Sequence, residues 1–119
     1  MIFTYVVLTN ATSAEEEAEF NRWYNEQHVP DVLRVPGVKT AQRFQRTEQQ
    51  RGSHPQPYKY LALYECEAEE PNVVTNGIQA RYNTPDMIIS PTLADVRYAC
   101  YFAPITELMK KQGQDLTAN

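Results

Sequence analysis

Tyr58-Lys59-Tyr60-Leu61-Ala62-Leu63-Tyr64-Glu65-Cys66-Glu67 is the clearest strand of the chain, and the order of elements reads outward from it. Tyr58, Tyr60, Ala62, Tyr64 and Cys66 fall on one face. Leu61 and Leu63 fall on the other, with Lys59 and Glu65 towards the ends. Upstream, residues 48–57 are polar and rich in turn formers, which predicts a loop. Before them Val38 to Thr47 reads as a strand, so the two runs make an antiparallel pair. Val35-Pro36-Gly37 supplies the turn that enters it. Further upstream Ser13 and Glu16 have capping-box spacing, which starts a helix at Ala14. Ala14, Ala18, Phe20, Trp23 and Tyr24 form its apolar stripe. Pro30 predicts its end at residue 28 or 29, with a short turn from Asp31 to Arg34. Ile2 to Thr9, β-branched and aromatic, is the first strand.

Downstream of the central strand, Glu69-Glu70-Pro71 opens a second helix that runs to about Tyr82. Thr84-Pro85-Asp86 breaks it, and residues 87–94 carry no clear period. Val96 to Phe102 is the last strand, closed by Pro104. The order β-α-β-β-α-β predicts an α+β, ferredoxin-like antiparallel sheet. Residues 1–105 make one domain. Residues 106–119 make a tail, with a helical turn from Thr106 before a disordered end.

Composition narrows the function. A chain of 119 residues buries about two thirds of its unfolded surface, enough for one core without disulfides or a structural metal. No apolar run nears the roughly 20 residues of a membrane helix, and the N-terminus lacks a signal-peptide pattern, so the expected setting is cytoplasmic, with no membrane partner. The net charge of −4 and the scattered basic residues argue against nucleic acid. Glu15-Glu16-Glu17 suits the first turn of a helix. Cys66 and Cys100 read as reduced core cysteines. Eight of the aromatics are tyrosines, against four Phe and one Trp, and most sit in strand-like runs, where a hydroxyl needs a partner or a wet cavity.

Both faces of the sheet are largely apolar, and the chain's own helices cover only one. A second copy is the simplest cover for the other, so a homodimer closed face to face is expected, with a tyrosine-rich face at the seam.

The segment Phe20-Asn21-Arg22-Trp23-Tyr24-Asn25-Glu26-Gln27-His28-Val29-Pro30-Asp31, followed by Val35-Pro36-Gly37-Val38 and Arg43-Phe44, resembles the dimeric α+β barrel superfamily and, within it, EthD-like proteins. These show a helix ending in a W/Y-x-x-x-H-x-P pattern, a P-G turn, and a strand with a basic or aromatic residue. The resemblance covers residues 1–47 well and 58–102 in outline. It implies a homodimer with a small-molecule pocket between sheet and helices in each subunit. The superfamily holds muconolactone isomerases, polyketide cyclases, cofactor-free monooxygenases, dye-type haem peroxidases and stress proteins. In isomerase-like members the helix-end histidine faces the pocket with a second histidine from the loop after the second strand. His28 matches the first, and His54 corresponds to the second by region.

By spacing, His28 shares a helix face with Tyr24 and Phe20. It acts as an acid or base near neutral pH, or it caps the helix end or bonds to Asp31. His54 lies in the mobile loop, exposed unless that loop closes as a lid. Arg43 shares a strand side with Lys39, Ala41 and Gln45, opposite Val38, Thr40, Gln42 and Phe44. There it makes a salt bridge or holds a substrate anion. Tyr5, Tyr60 and Tyr64 fill the seam or present hydroxyls to a substrate, while Trp23, Tyr24 and Phe44 serve as pocket walls. No nucleotide or nucleophile-elbow motif is present, and two histidines far apart make a poor metal site. The expected function is a cofactor-free isomerase, cyclase or lyase acting on a small apolar aromatic or polyketide-like molecule, with His28, Arg43, His54 and Tyr60 as its chemical residues. The alternatives are a hydrophobic-metabolite binding protein or an EthD-like accessory of a degradative oxidation system.

Overall fold

The computed structural model describes residues 1–113. Four strands, β1 (Ile2–Thr9), β2 (Val38–Gln45), β3 (Tyr60–Glu67) and β4 (Tyr98–Phe102), form one antiparallel sheet in the order β2-β3-β1-β4. The hydrophobic β1 therefore lies inside, flanked by β3 and β4. One face is covered by two helical segments. The first begins with a 3₁₀ turn at Ala14–Glu16 and continues as α1 (Glu17–Trp23), a π-turn (Tyr24–His28) and α2 (Val29–Leu33). The second is α3 (Asn72–Arg81).

Pro30 does not end the first helical segment. The Val29 N–H bonds to the Tyr24 carbonyl, five residues back, so the chain widens into a π-turn just before the proline. Pro30 then falls in the first turn of α2, where a missing N–H costs nothing. Such single π-turns recur at functional sites, and Tyr24 and His28 bound this one. The helix starts at Ala14 as expected, but the Ser13 side chain makes no cap bond. Ala14 and Ala18 are exposed, so the buried stripe is Phe20, Trp23 and Tyr24.

At the turn Gly37 takes φ +95, and an added Cβ would lie 3.1 Å from Val74, so both the angle and the close approach call for glycine. A bulge follows. Val38 pairs with Cys66 and Thr40 with Glu65, which leaves Lys39 unpaired. The expected alternation therefore slips by one. Val38 is buried on the helix side, Ala41 and Arg43 share that side, and Thr40, Gln42 and Phe44 face outward.

Register divides the tyrosines. Tyr5 pairs with Tyr64 and with Tyr101, and all three lie on the helix-covered face with Phe3, Tyr60, Ala62 and Cys66. The tyrosine-rich face is thus the inner face and does not form a seam. The outer face carries Val6, Leu8, Leu61 and Leu63, with Phe44, Tyr98 and Phe102 exposed. Cys66 is a core residue, but Cys100 pairs with Val6 on the outer face and is only half-buried; both are free thiols. From Thr106 to Gly113 the chain forms no helix, and Gln112 and Gly113 lie in a turn. The expected disordered end at 114–119 lies outside the described residues. Among the described residues no helix is long and apolar enough to cross a membrane.

Candidate functional site

The inner face of the sheet is not packed solid. A cavity of about 150 Å³ lies between sheet and helices. That is roughly the size that accepts one aromatic ring in a protein interior. Its floor is Tyr5, Val7 and Thr9 of β1 with Tyr64 of β3. The π-turn and α2 contribute Tyr24, His28 and Val32 as one wall. Ile78 of α3 and Met87 and Leu93 from the irregular segment 82–97 make the opposite wall. Tyr82, Arg97 and Ala99 complete the rim.

His28 is stacked on Trp23 at 4.7 Å and meets the Tyr24 ring edge-on at 4.9 Å, so two aromatic neighbours fix the imidazole plane. It caps nothing, because the helix runs on to Leu33, and Asp31 is taken by Arg34. Its Nδ1 is buried and has no hydrogen-bond partner among the described residues. The Tyr64 hydroxyl is likewise buried and without one. Burial, reinforced by the positive charges of Arg43 and Arg97, pulls the His28 pKa down to about 4. The imidazole is therefore neutral at pH 7. Burial pushes the Tyr5 hydroxyl up to about 12 and also raises Tyr24 and Tyr64. The lining around His28 and Tyr64 is thus uncharged, and neither His28 Nδ1 nor the Tyr64 hydroxyl, which lies close to that of Tyr24, makes a hydrogen bond of normal geometry.

The other expected residues stand elsewhere. Tyr60 lies outside the cavity: its hydroxyl donates to Glu17 at 2.6 Å and accepts from Asn21 at 3.1 Å. Glu17 also takes Lys59 at 2.6 Å, so this end of the sheet is a polar network, in which Arg43 Nε is buried without a partner. Arg43 does not line the cavity and has no acidic partner among the described residues. Its guanidinium donates to Asn25 at 2.7 Å and Asn21 at 2.9 Å, and it lies 4.1 Å over the Tyr24 ring. It supports the cavity wall from behind through a cation–π contact. Trp23 stands behind His28 rather than in the cavity, with its Nε1 donating to the Ile88 carbonyl at 3.0 Å. Phe44 points to the outer face and cannot touch a ligand held inside. His54 is exposed and is not part of the cavity. Its loop is tied down at Asn10, which bonds to the Pro57 carbonyl, and at Arg46, which bonds to that of Gln56. The cavity thus unites Tyr5, Tyr24, His28 and Tyr64 and leaves out Trp23, Arg43, Phe44, His54 and Tyr60.

Sequence reasoning missed Met87, Leu93, Tyr82 and Arg97. The apolar run Met87-Ile88-Ile89 and Leu93, set in a stretch without helical or strand period, was the signal: an apolar loop must cover something. Among the described residues no three His, Cys, Asp or Glu side chains gather as metal ligands would.

No family model matches the sequence, and no curated protein matches it. Solved structures do resemble it. A dimeric ferredoxin-like protein of unknown function from Thermobifida fusca is 20% identical, with TM-score 0.53 over 87% of this chain and 92% of that one. A DABB family protein with a ferredoxin-like fold from Mesorhizobium loti is 11% identical, with TM-score 0.54 over 88% and 98%. SnoaB, a cofactor-independent oxygenase from Streptomyces nogalater, is 13% identical, with TM-score 0.53 over 92% and 98%. At such identities the likeness speaks for architecture alone: the chain has the ferredoxin-like α+β fold.

Proposed function

We propose that this protein binds a ring-sized apolar molecule in the cavity and moves a proton on it, without a cofactor, using His28. One observation carries the reading: two buried polar atoms without partners, His28 Nδ1 and Tyr64 Oη, belong to side chains that line the same cavity. Leaving such atoms unsatisfied costs about 1–3 kcal/mol each, so a ligand that bonds to them is favoured there.

The chemistry follows from their states. Neutral His28 takes a proton from a carbon next to a carbonyl, or from a ring hydroxyl. The C–H electron pair moves onto the carbonyl oxygen, and the Tyr64 hydroxyl donates to the oxyanion as it forms. Return of the proton to another carbon gives an isomerase; attack of the enolate within the substrate gives a cyclase; loss of a leaving group gives a lyase. In the empty site the low pKa of His28 moves the acid limb of kcat/KM to about pH 4, below the neutral range expected of an ordinary histidine. The same low pKa makes His28 a weak base, and this favours a second reading in which it only accepts a hydrogen bond in a metabolite-binding protein.

Cyclohexanone in D₂O separates the two. Faster exchange of its α-protons than in buffer, lost in His28→Ala, supports catalysis. Rates equal to buffer, with cyclohexanone bound, leave the binding protein.

The outer sheet face completes the proposal. Val6, Leu8, Leu61 and Leu63 form an apolar band that a second copy covers, giving a homodimer. Sedimentation of wild type as a dimer and of Leu63→Glu as a monomer supports this; a monomeric wild type contradicts it.

A further inference from the structure

Arg97 is the one cationic side chain on the cavity lining, and the lining holds no Asp or Glu. It precedes β4, and positions 97, 99 and 101 share the inner face, which turns Arg97 to the rim. It is exposed there and has no ion-pair partner among the described residues. Its guanidinium donates to the Tyr82 hydroxyl at 2.5 Å and reaches the Ala94 carbonyl at 3.4 Å. Tyr82 is itself on the rim and held by its own backbone, whose N–H bonds to the Ile78 carbonyl at 2.8 Å. The rim thus presents a positioned cation whose remaining N–H groups are free to bind, beside an uncharged interior about one ring in volume.

We propose that the ligand is a monocyclic carboxylate, with its ring in the cavity and its carboxylate at the rim on Arg97 and Tyr82. An ionised group is too costly to strip of water inside an uncharged cavity, but at the rim it keeps part of its hydration and gains a fork of donors. A ring fills the interior and excludes water from His28 and Tyr64. This orientation sets the ring atoms beyond the carboxyl carbon against the imidazole, so the proton that moves comes from the ring and not from the acid. The inference rests on the cavity being the ligand site.

The test uses benzoate and its neutral isostere benzamide, titrated against the fluorescence of Trp23, the chain's single tryptophan, which is stacked on His28. Wild type is expected to bind benzoate about tenfold more tightly than benzamide, as a charge-assisted contact at a half-wet site allows. Arg97→Gln is expected to lower benzoate about tenfold, to near the level of benzamide, and to lower benzamide by a smaller factor. Benzamide binding as well as benzoate in wild type, or benzoate binding unaltered in Arg97→Gln, overturns the assignment and leaves the cavity reading standing. Failure of both ligands and of phenol to bind overturns the cavity reading and this inference with it.

Discussion

Tyr60 and Tyr64 point the same way from the same strand, four residues apart, yet the fold treats their hydroxyls in opposite ways. Tyr60 joins Glu17 and Asn21 in a network with Lys59, and the aromatic rings around it close the interior. Tyr64 lines a cavity with its hydroxyl unpartnered, and His28, on the same lining, has an unpartnered imidazole nitrogen. One end of the inner face is therefore closed by its own partners, and the other, on the function proposed for it, receives a ligand. A residue type does not tell the two apart; the partners do.

The sharpest break of this contrast is at His28. Removing it by His28→Ala is expected to lower proton transfer by about 10²–10⁴, the usual contribution of a positioned base, measured on the substrate or by α-proton exchange. No comparable loss is expected from Tyr60→Phe, at the closed end.

The next effect is one of pH. In the unfolded chain His28 titrates at 6.5, and in the fold at about 4. A depressed folded value means that its contribution is fully present above pH 6.5 and is lost as pH falls through 4. The size is about 3 kcal/mol. Urea unfolding at pH 7 and pH 4 is expected to show this loss in wild type and a smaller one in His28→Gln. Equal pH dependence in the two proteins contradicts the buried neutral imidazole.

The two tyrosines then differ in sign. Tyr60→Phe removes partners from Glu17 and Asn21 and is expected to cost about 1–2 kcal/mol. Tyr64→Phe removes a buried hydroxyl that has no partner, so the expected change is a gain, up to about 1–3 kcal/mol. Ligand affinity is expected to move the other way, falling for Tyr64→Phe and holding for Tyr60→Phe. Equal stability losses would erase the distinction between the two ends.

Much of the fold was legible because its signals are local. Alternating aromatics and aliphatics mark β1 and β3, and Pro71 marks the start of α3. What failed depended on a single residue's slip: the π-turn that carries the helix past Pro30, and the unpaired Lys39 that turns Val38 inward. Both are settled by hydrogen bonding across turns and strands, which has no signature of its own. The site was half legible. His28 and Tyr24 could be placed from the helix and its motif. The role of Tyr60 depended on Glu17, more than forty residues away, and that of Arg43 on Asn21 and Asn25, one helix over. Arg97 was invisible because only the register of β4 with β1 turns it to the rim.

The central claim, that the unpartnered atoms of His28 and Tyr64 await a ligand, is tested most directly by a crystal structure of the protein soaked with phenol. The expected result is a phenol ring in the cavity, packed on Tyr5 and Val7, with its oxygen within hydrogen-bond distance of His28 or Tyr64. A cavity closed by its own side chains, or one left without phenol at saturating concentration, would contradict it.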